Sequence, residues 1–265
     1  MKKFEFTKKN VIFAAFVLVQ TVIYIVYNII SATNPRDPIE VKYAGILLCL
    51  AVTAVMVYFN RDADSVIAVA AMLFTAISDL FILVLDKYFE VGLATFLVAH
   101  TLYFYRLYHG RVKKIWISAA VRAAVSGVLI GLCCGLFTPN LLVVEACVYL
   151  VMLVGNCIEA LIMCNRGLKN ILFSIGLMLF LGCDICVGLK HGSLLGVNLS
   201  QRVYDFVVYM IWVFYLPSQV LITTALIRKG ACFGTLTENP CAVTDETEDG
   251  KKELNGGDGQ EKEGG

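Results

Sequence analysis

Apolar residues fill the chain in eight long runs, each bounded by charged or turn-forming residues: Asn10–Ile30, Val41–Phe59, Ser65–Leu85, Phe89–Tyr108, Ile115–Phe137, Leu141–Cys164, Asn170–Leu189 and Phe206–Ile227. Each run is apolar on all faces over about five helical turns, the pattern of a helix surrounded by hydrocarbon rather than one with a single buried stripe. Strands that span a membrane alternate apolar and polar positions in short segments, and these runs do not, so a β-barrel is excluded. The pattern predicts an all-α fold: a polytopic membrane bundle of eight transmembrane helices, with both termini on the same side.

Composition agrees. Of 265 residues, 58% are hydrophobic and 16% charged, too apolar for a water-soluble domain. The net charge of +1, from 22 Lys+Arg and 21 Asp+Glu, argues against nucleic acid as a partner and leaves the lipid bilayer as the one general partner. Lys and Arg near the span ends divide thirteen to five in favour of the side carrying Lys2, Lys3, Arg61, Arg111 and Arg228, which predicts that both termini are cytoplasmic. In a bacterium the membrane would be the cell membrane. The first run begins with basic residues like a signal peptide, but it is too long for an h-region and reads as an uncleaved span. Residues 1–230 are expected to form the transmembrane domain. Residues 231–265, rich in Gly, Glu, Asp and Lys, are expected to be a disordered acidic cytoplasmic tail.

Ten cysteines would signal disulfides in a small secreted chain, yet eight of them fall within spans, where they read as small packing residues. Cys183 and Cys186 form a Cys-x-x-Cys, but inside a membrane helix it lacks the strand-to-helix setting of a redox motif. Cys232, just beyond the last span, is a candidate for palmitoylation.

Ionisable residues at membrane depth cost at least ~2.5–3.5 kcal/mol on an insertion scale, so each needs a partner, a wet cavity or a task. Asp79 and Asp184 stand out. They occupy the third and seventh spans, each 14 residues after the span start, which places both roughly 21 Å from the inner end. Similar surroundings, Met72-Leu73-Phe74 before Asp79 and Met178-Leu179-Phe180 before Asp184, fit two four-helix halves related by an axis along the membrane normal. The next span after each acid adds a polar face: His100 with Tyr103, then Tyr215 with Gln219. Lys42 opens the second span where it can meet an anion. Such polar residues commonly serve only as interhelical hydrogen-bonding groups. Arg122 and Glu159 lie near the inner ends of the fifth and sixth spans and are expected to pair, with Asn156 as a further partner. Glu145 and Asp86 lie near outer ends and are assigned no chemistry. Neither Asp79 nor Asp184 sits in a metal-ligand pattern, and no cofactor is required.

The stretch Ser78-Asp79, followed by Phe89-Glu90-Val91-Gly92-Leu93 and Phe96 through His100 to Tyr103, resembles the lysoplasmalogenase family, the YhhN-type membrane proteins. Cys183-Asp184 and Tyr215-Leu216-Pro217-Ser218-Gln219 are similar to the family's second signature, and Lys42 and Tyr149 stand where the family tends to have a Lys and a Tyr. The likeness runs from about Lys42 to Ile227. Ser78 in place of Gly, Tyr43 in place of Pro, and Pro217 depart from the family pattern without removing a reactive group.

The resemblance implies an ether hydrolase that cleaves the vinyl-ether bond of a lysophospholipid substrate, releasing a fatty aldehyde and a glycerophospho-ethanolamine or -choline. On that reading Asp79 and Asp184 are the catalytic pair, with the assignment of acid and base open. His100, Tyr103, Tyr149, Tyr215 and Gln219 orient the acids, the water or the ether oxygen, and Lys42 meets the phosphate. The alternative from another class is a transporter or a lipid- or ion-binding protein using the same two acids. A structural scaffold is a third reading. A Ser hydrolase is disfavoured by the lack of a Gly-x-Ser-x-Gly elbow.

Overall fold

The computed structural model describes residues 2–33, 38–60, 63–108, 112–136, 140–191 and 199–227. Among these residues the chain is helical: α1 (Lys2–Thr33), α2 (Ile39–Asn60), α3 (Ala63–Asp79), α4 (Phe89–Leu107), α5 (Val112–Leu136), α6 (Leu141–Met163), α7 (Leu168–Lys190) and α8 (Gln201–Ile227). Seven of these helices, all but α4, are long and apolar enough to cross a membrane. This is an integral, multi-pass membrane protein. The expected tail, 231–265, and Cys232 within it lie outside the described residues.

α4 differs from the others for a reason that concerns the site. Its 19 residues include Glu90, Thr95, His100, Thr101, Tyr103 and Arg106. His100, Tyr103 and Arg106 are buried among neighbouring helices, and the two threonines return their hydroxyls to backbone carbonyls one turn earlier, at 2.9 and 2.8 Å. Apart from the exposed Glu90 in its first turn, the polar content of α4 therefore faces protein or is satisfied locally, as polar groups in a bilayer must be.

α8 and α3 depart from the apolar runs that mark them in the sequence. α8 starts at Gln201 rather than Phe206, because Gln201 Nε2 donates to Asp205 Oδ1 at 2.8 Å and supports an added turn. In the third apolar run the α-helix stops at Asp79, and Leu80–Val84 form a wider π turn. The turn closes with Leu85 N donating to the carbonyl of Leu80 at 2.9 Å.

Helix pairings repeat between the halves of the chain. α1–α2, α2–α3, α3–α4 and α4–α6 contacts have counterparts in α5–α6, α6–α7, α7–α8 and α8–α2. α2, α3, α4, α6, α7 and α8 thus pack as a closed ring, with α1 against α2 and α8 and with α5 against α6. The closest approaches use glycine, as expected where packing rather than water exclusion holds helices together. A Cβ on Gly176 of α7 would stand 3.1 Å from Ile222 N and 3.2 Å from the Ser218 carbonyl of α8. A Cβ on Gly92 of α4 would collide with Ile82 in the π turn.

At the end of the bundle where α3 and α7 begin and α4 ends, Arg106 is almost wholly buried and grips Asp64 with Nε and Nη2, while Lys169 approaches the same carboxylate at 3.5 Å. The acid lies in the first turn of α3 and Arg106 in the last turn of α4. Each is therefore on the favourable end of its own helix dipole as well as paired across the helices.

Candidate functional site

Asp79 ends α3 and is buried. Its position follows from the residues beside it. Ser78 Oγ donates to the Gly92 carbonyl at 2.5 Å, which draws α3 against α4, and the π turn redirects the chain immediately afterwards. Single π turns inside helices commonly mark functional sites. From α8, Tyr215 donates its hydroxyl to Asp79 Oδ2 at 2.6 Å.

Asp184 lies in α7, 16 residues after the helix start at Leu168, as Asp79 lies 16 residues after Ala63 in α3. The two acids are therefore at equal axial distance, roughly 24 Å, from the ends where their helices begin. Tyr149 of α6 donates its hydroxyl to Asp184 Oδ2 at 2.5 Å. Asp184 is half-buried whereas Asp79 is buried. Each acid thus has a tyrosine hydroxyl from a different helix. The tyrosines do not obey the repeat of the halves: one joins α3 to α8 and the other α7 to α6.

Aromatic rings connect the two acids. Phe180, one turn before Asp184, stands 5.5 Å from the Tyr215 ring and 5.1 Å from the His100 ring. His100 is in turn 5.3 Å from Tyr149 and 5.6 Å from Tyr103, edge to face in both cases. The Tyr103 hydroxyl reaches Met72 Sδ at 3.6 Å. His100 Nδ1 and Gln219 Oε1 are buried and make no hydrogen bond within the described protein. Buried polar atoms of that kind are the ones a substrate or water can engage.

Lys42, in the first turn of α2, is 4% exposed. Its ammonium lies 4.6 Å from the Trp212 ring centre and 5.5 Å from that of Tyr27, a pair of cation–π contacts. Trp212 packs edge to face on Tyr215 at 5.1 Å. The lysine is therefore linked through the Trp212 ring to the tyrosine that holds Asp79.

All eight residues singled out in the sequence, Lys42, Asp79, His100, Tyr103, Tyr149, Asp184, Tyr215 and Gln219, occur on α2, α3, α4, α6, α7 and α8, the six helices of the ring. Lys42, Tyr149 and Tyr215 reach the others through contacts with aromatic rings or carboxyls. Gln219 shares the helix of Tyr215 one turn further on. Trp212, Tyr27 and Phe180 were not singled out, although Trp212 sits three residues before Tyr215 and Phe180 four before Asp184, the spacing that puts side chains on one helix face. The eight described cysteines are free thiols.

The family model described as the YhhN family matches residues 39–226, from the start of α2 almost to the end of α8. The chain belongs to the YhhN family. The match spans all eight residues singled out in the sequence and the six helices of the ring, while Tyr27 lies before it. Comparison with curated proteins and with solved structures returned no match. Within this YhhN chain, Ser78 performs a task its side chain makes possible: its hydroxyl ties α3 to the Gly92 carbonyl of α4.

Proposed function

We propose that this YhhN-family protein is a lysoplasmalogenase-like hydrolase, cleaving the vinyl-ether bond of a lysophospholipid with two membrane-embedded carboxyls. The observation that supports it most is the pair Asp79 and Asp184, at equal depth, each fixed by a tyrosine hydroxyl.

A vinyl ether is hydrolysed by protonation of its β-carbon, which yields an oxocarbenium ion at the α-carbon. Water adds to that carbon and loses a proton, giving a hemiacetal. The hemiacetal collapses with transfer of its hydroxyl proton to the ether oxygen, releasing the aldehyde and the glycerophospho alcohol. The sum is one vinyl ether plus one water to one aldehyde plus one alcohol. The first step needs a carboxyl that carries a proton; the second needs a carboxylate that stabilises the cation and takes the proton from water. Two acids in one site divide these tasks, as they do in glycosidases.

The buried Asp79 fits the proton donor, since tight packing keeps water from competing for its proton. The half-buried Asp184 fits the group that receives water. Tyr149 and Tyr215 hold the carboxyls in orientation, His100 and Tyr103 line the same interior, and Gln219 Oε1 and His100 Nδ1 offer polar contacts to water or the ether oxygen. Lys42 supplies positive charge for the phosphate near the start of α2. The chain of the lipid would enter between helices, so no cofactor is called for.

The test is aldehyde release from a vinyl-ether lysophospholipid by detergent-purified protein, beside Asp79→Asn, Asp184→Asn and an ester lysophospholipid control. General acid–base groups typically contribute about 10²–10⁴-fold, so each variant is expected to lose at least about a hundredfold while staying folded. Gradient-coupled flux with no turnover would instead favour the transport reading.

A further inference from the structure

Arg122 is a buried charge on a largely exposed helix, with Ser126 buried one turn further on. α5 packs against α6, and Trp116, Ile117, Val121, Val125, Val128 and Leu132 are exposed on it, yet Arg122 is buried. Its guanidinium reaches past α6 to α4. Nη2 lies 2.7 Å from Glu159 Oε2, and Nη1 donates to Asn156 Oδ1 at 2.9 Å and to the Met152 carbonyl at 3.1 Å. Its Cζ stands 4.4 Å from the centre of the Phe104 ring. The path crosses Gly155, where a Cβ would lie 2.7 Å from Cζ.

Asn156 carries the contact onward. Fully buried, it donates Nδ2 to the backbone carbonyl of His100 at 2.9 Å. One turn of α4 is therefore held at both ends, by Asn156 at the His100 carbonyl and by Arg122 on the Phe104 ring. Tyr149 lies seven residues before Asn156, two turns along the same face of α6. The axial register of α4 against α6 consequently sets how the His100 ring meets Tyr149, and Tyr149 holds Asp184.

An ion pair joining α5 to α6 needs Arg122 and Glu159 alone. The added asparagine, the glycine notch and the stacked phenylalanine extend it to a helix that α5 does not flank. The geometry points to Arg122 and Asn156 as positioning residues, which lock α4 in register on α6 so that His100 braces Tyr149 in the orientation that holds Asp184. This inference rests on the reading of Asp184 as a catalytic residue.

The experiment uses full-length purified protein and two readouts: kcat and KM for aldehyde release, and the infrared carboxyl band of Asp184, assigned by its loss in Asp184→Asn. Asn156→Ala, Arg122→Lys and Gly155→Ala are compared with Val121→Ala on the exposed face of α5. Lys keeps the charge opposite Glu159 but has no planar fork to reach Asn156 as well. Gly155→Ala keeps every polar group and displaces only the guanidinium. All three are expected to lower kcat at least tenfold with KM within twofold and to shift the Asp184 band, while Val121→Ala changes neither. Unchanged kcat and band in Asn156→Ala and Gly155→Ala would overturn the inference and leave the network a structural ion pair. Wild-type protein that releases no aldehyde would overturn the hydrolase reading instead, and the infrared band alone would then decide whether the network positions Asp184.

Discussion

Tyr149 gives its phenolic hydrogen to Asp184 Oδ2 across 2.5 Å, from α6 to α7, and its ring lies 5.3 Å from His100 of α4. Three helices thus meet around Tyr149, which holds the carboxyl. A hydrogen bond between helices in a bilayer contributes about 0.6 kcal/mol on average and up to about 1.7. Tyr149→Phe is accordingly expected to lower thermal stability little. Its larger expected effect is on turnover, about tenfold or more, because the carboxyl loses the group that orients it. Equal losses of stability and turnover, measured by thermal melting and initial rates, would count against a role for Tyr149 beyond packing.

Lys42 has its ammonium between two rings, and Trp212 joins it to Tyr215. If that charge meets the substrate phosphate, Lys42→Met should raise KM several-fold or more for a phosphate-bearing lysolipid. It should leave KM nearly unchanged for a vinyl-ether glycerol lacking the phosphate. The pair of Michaelis constants checks it, and an equal rise with both substrates would assign Lys42 to packing alone.

Arg106 is buried beneath Asp64, which is 37% exposed at its side chain. Removing one partner of a buried ion pair costs about 3–5 kcal/mol. The exposure of Asp64 places Asp64→Asn near the low end, about 3 kcal/mol, because water can reach the guanidinium once the carboxylate is gone. A lowered melting temperature in detergent is expected, and no change would mean that Lys169 and Arg106 find other partners.

Gly176 and Gly127 provide a matched pair. A Cβ at Gly176 meets the Ser218 carbonyl and Ile222 of α8, while a Cβ at Gly127 on α5 meets nothing within 4 Å. Gly176→Ala should destabilise by about 1–3 kcal/mol, the range for overpacking. Gly127→Ala should fall within about 0.5 kcal/mol of wild type, as surface changes do. Thermal melts of the two variants decide it.

α4 is expected to cross the membrane although it is not among the seven helices apolar enough to do so by composition, because His100, Tyr103 and Arg106 are buried in the bundle. With the orientation expected from the distribution of Lys and Arg, a reporter fused after residue 87 should read exterior and one after residue 110 cytoplasmic. Two fusions reading the same side would show that α4 does not cross.

Much of this molecule was legible along the chain. Unbroken apolar runs dictate helices in a bilayer, since only a helix satisfies every backbone group within its own segment. The cost of ionised groups in hydrocarbon singled out Asp79, Asp184 and the Arg122–Glu159 pair without reference to any neighbour, and the ion pair with its Asn156 partner stands as expected. Local pattern also carried the resemblance that the YhhN family match bears out.

What the sequence could not contain is which helix lies beside which. That Asp79 takes Tyr215 of α8 while Asp184 takes Tyr149 of α6 depends on the closed ring of six helices, not on spacing within either span. The π turn after Asp79 has no proline or glycine to announce it; it accompanies Ser78 and Ile82 packed on Gly92 of the neighbouring helix. Trp212 and Phe180 are ordinary apolar residues until packing sets them between a lysine, a histidine and two tyrosines. Burial in hydrocarbon is a property of each segment and is written in its residues. The pairing of side chains across helices is a property of their arrangement, and only the tertiary structure decides it.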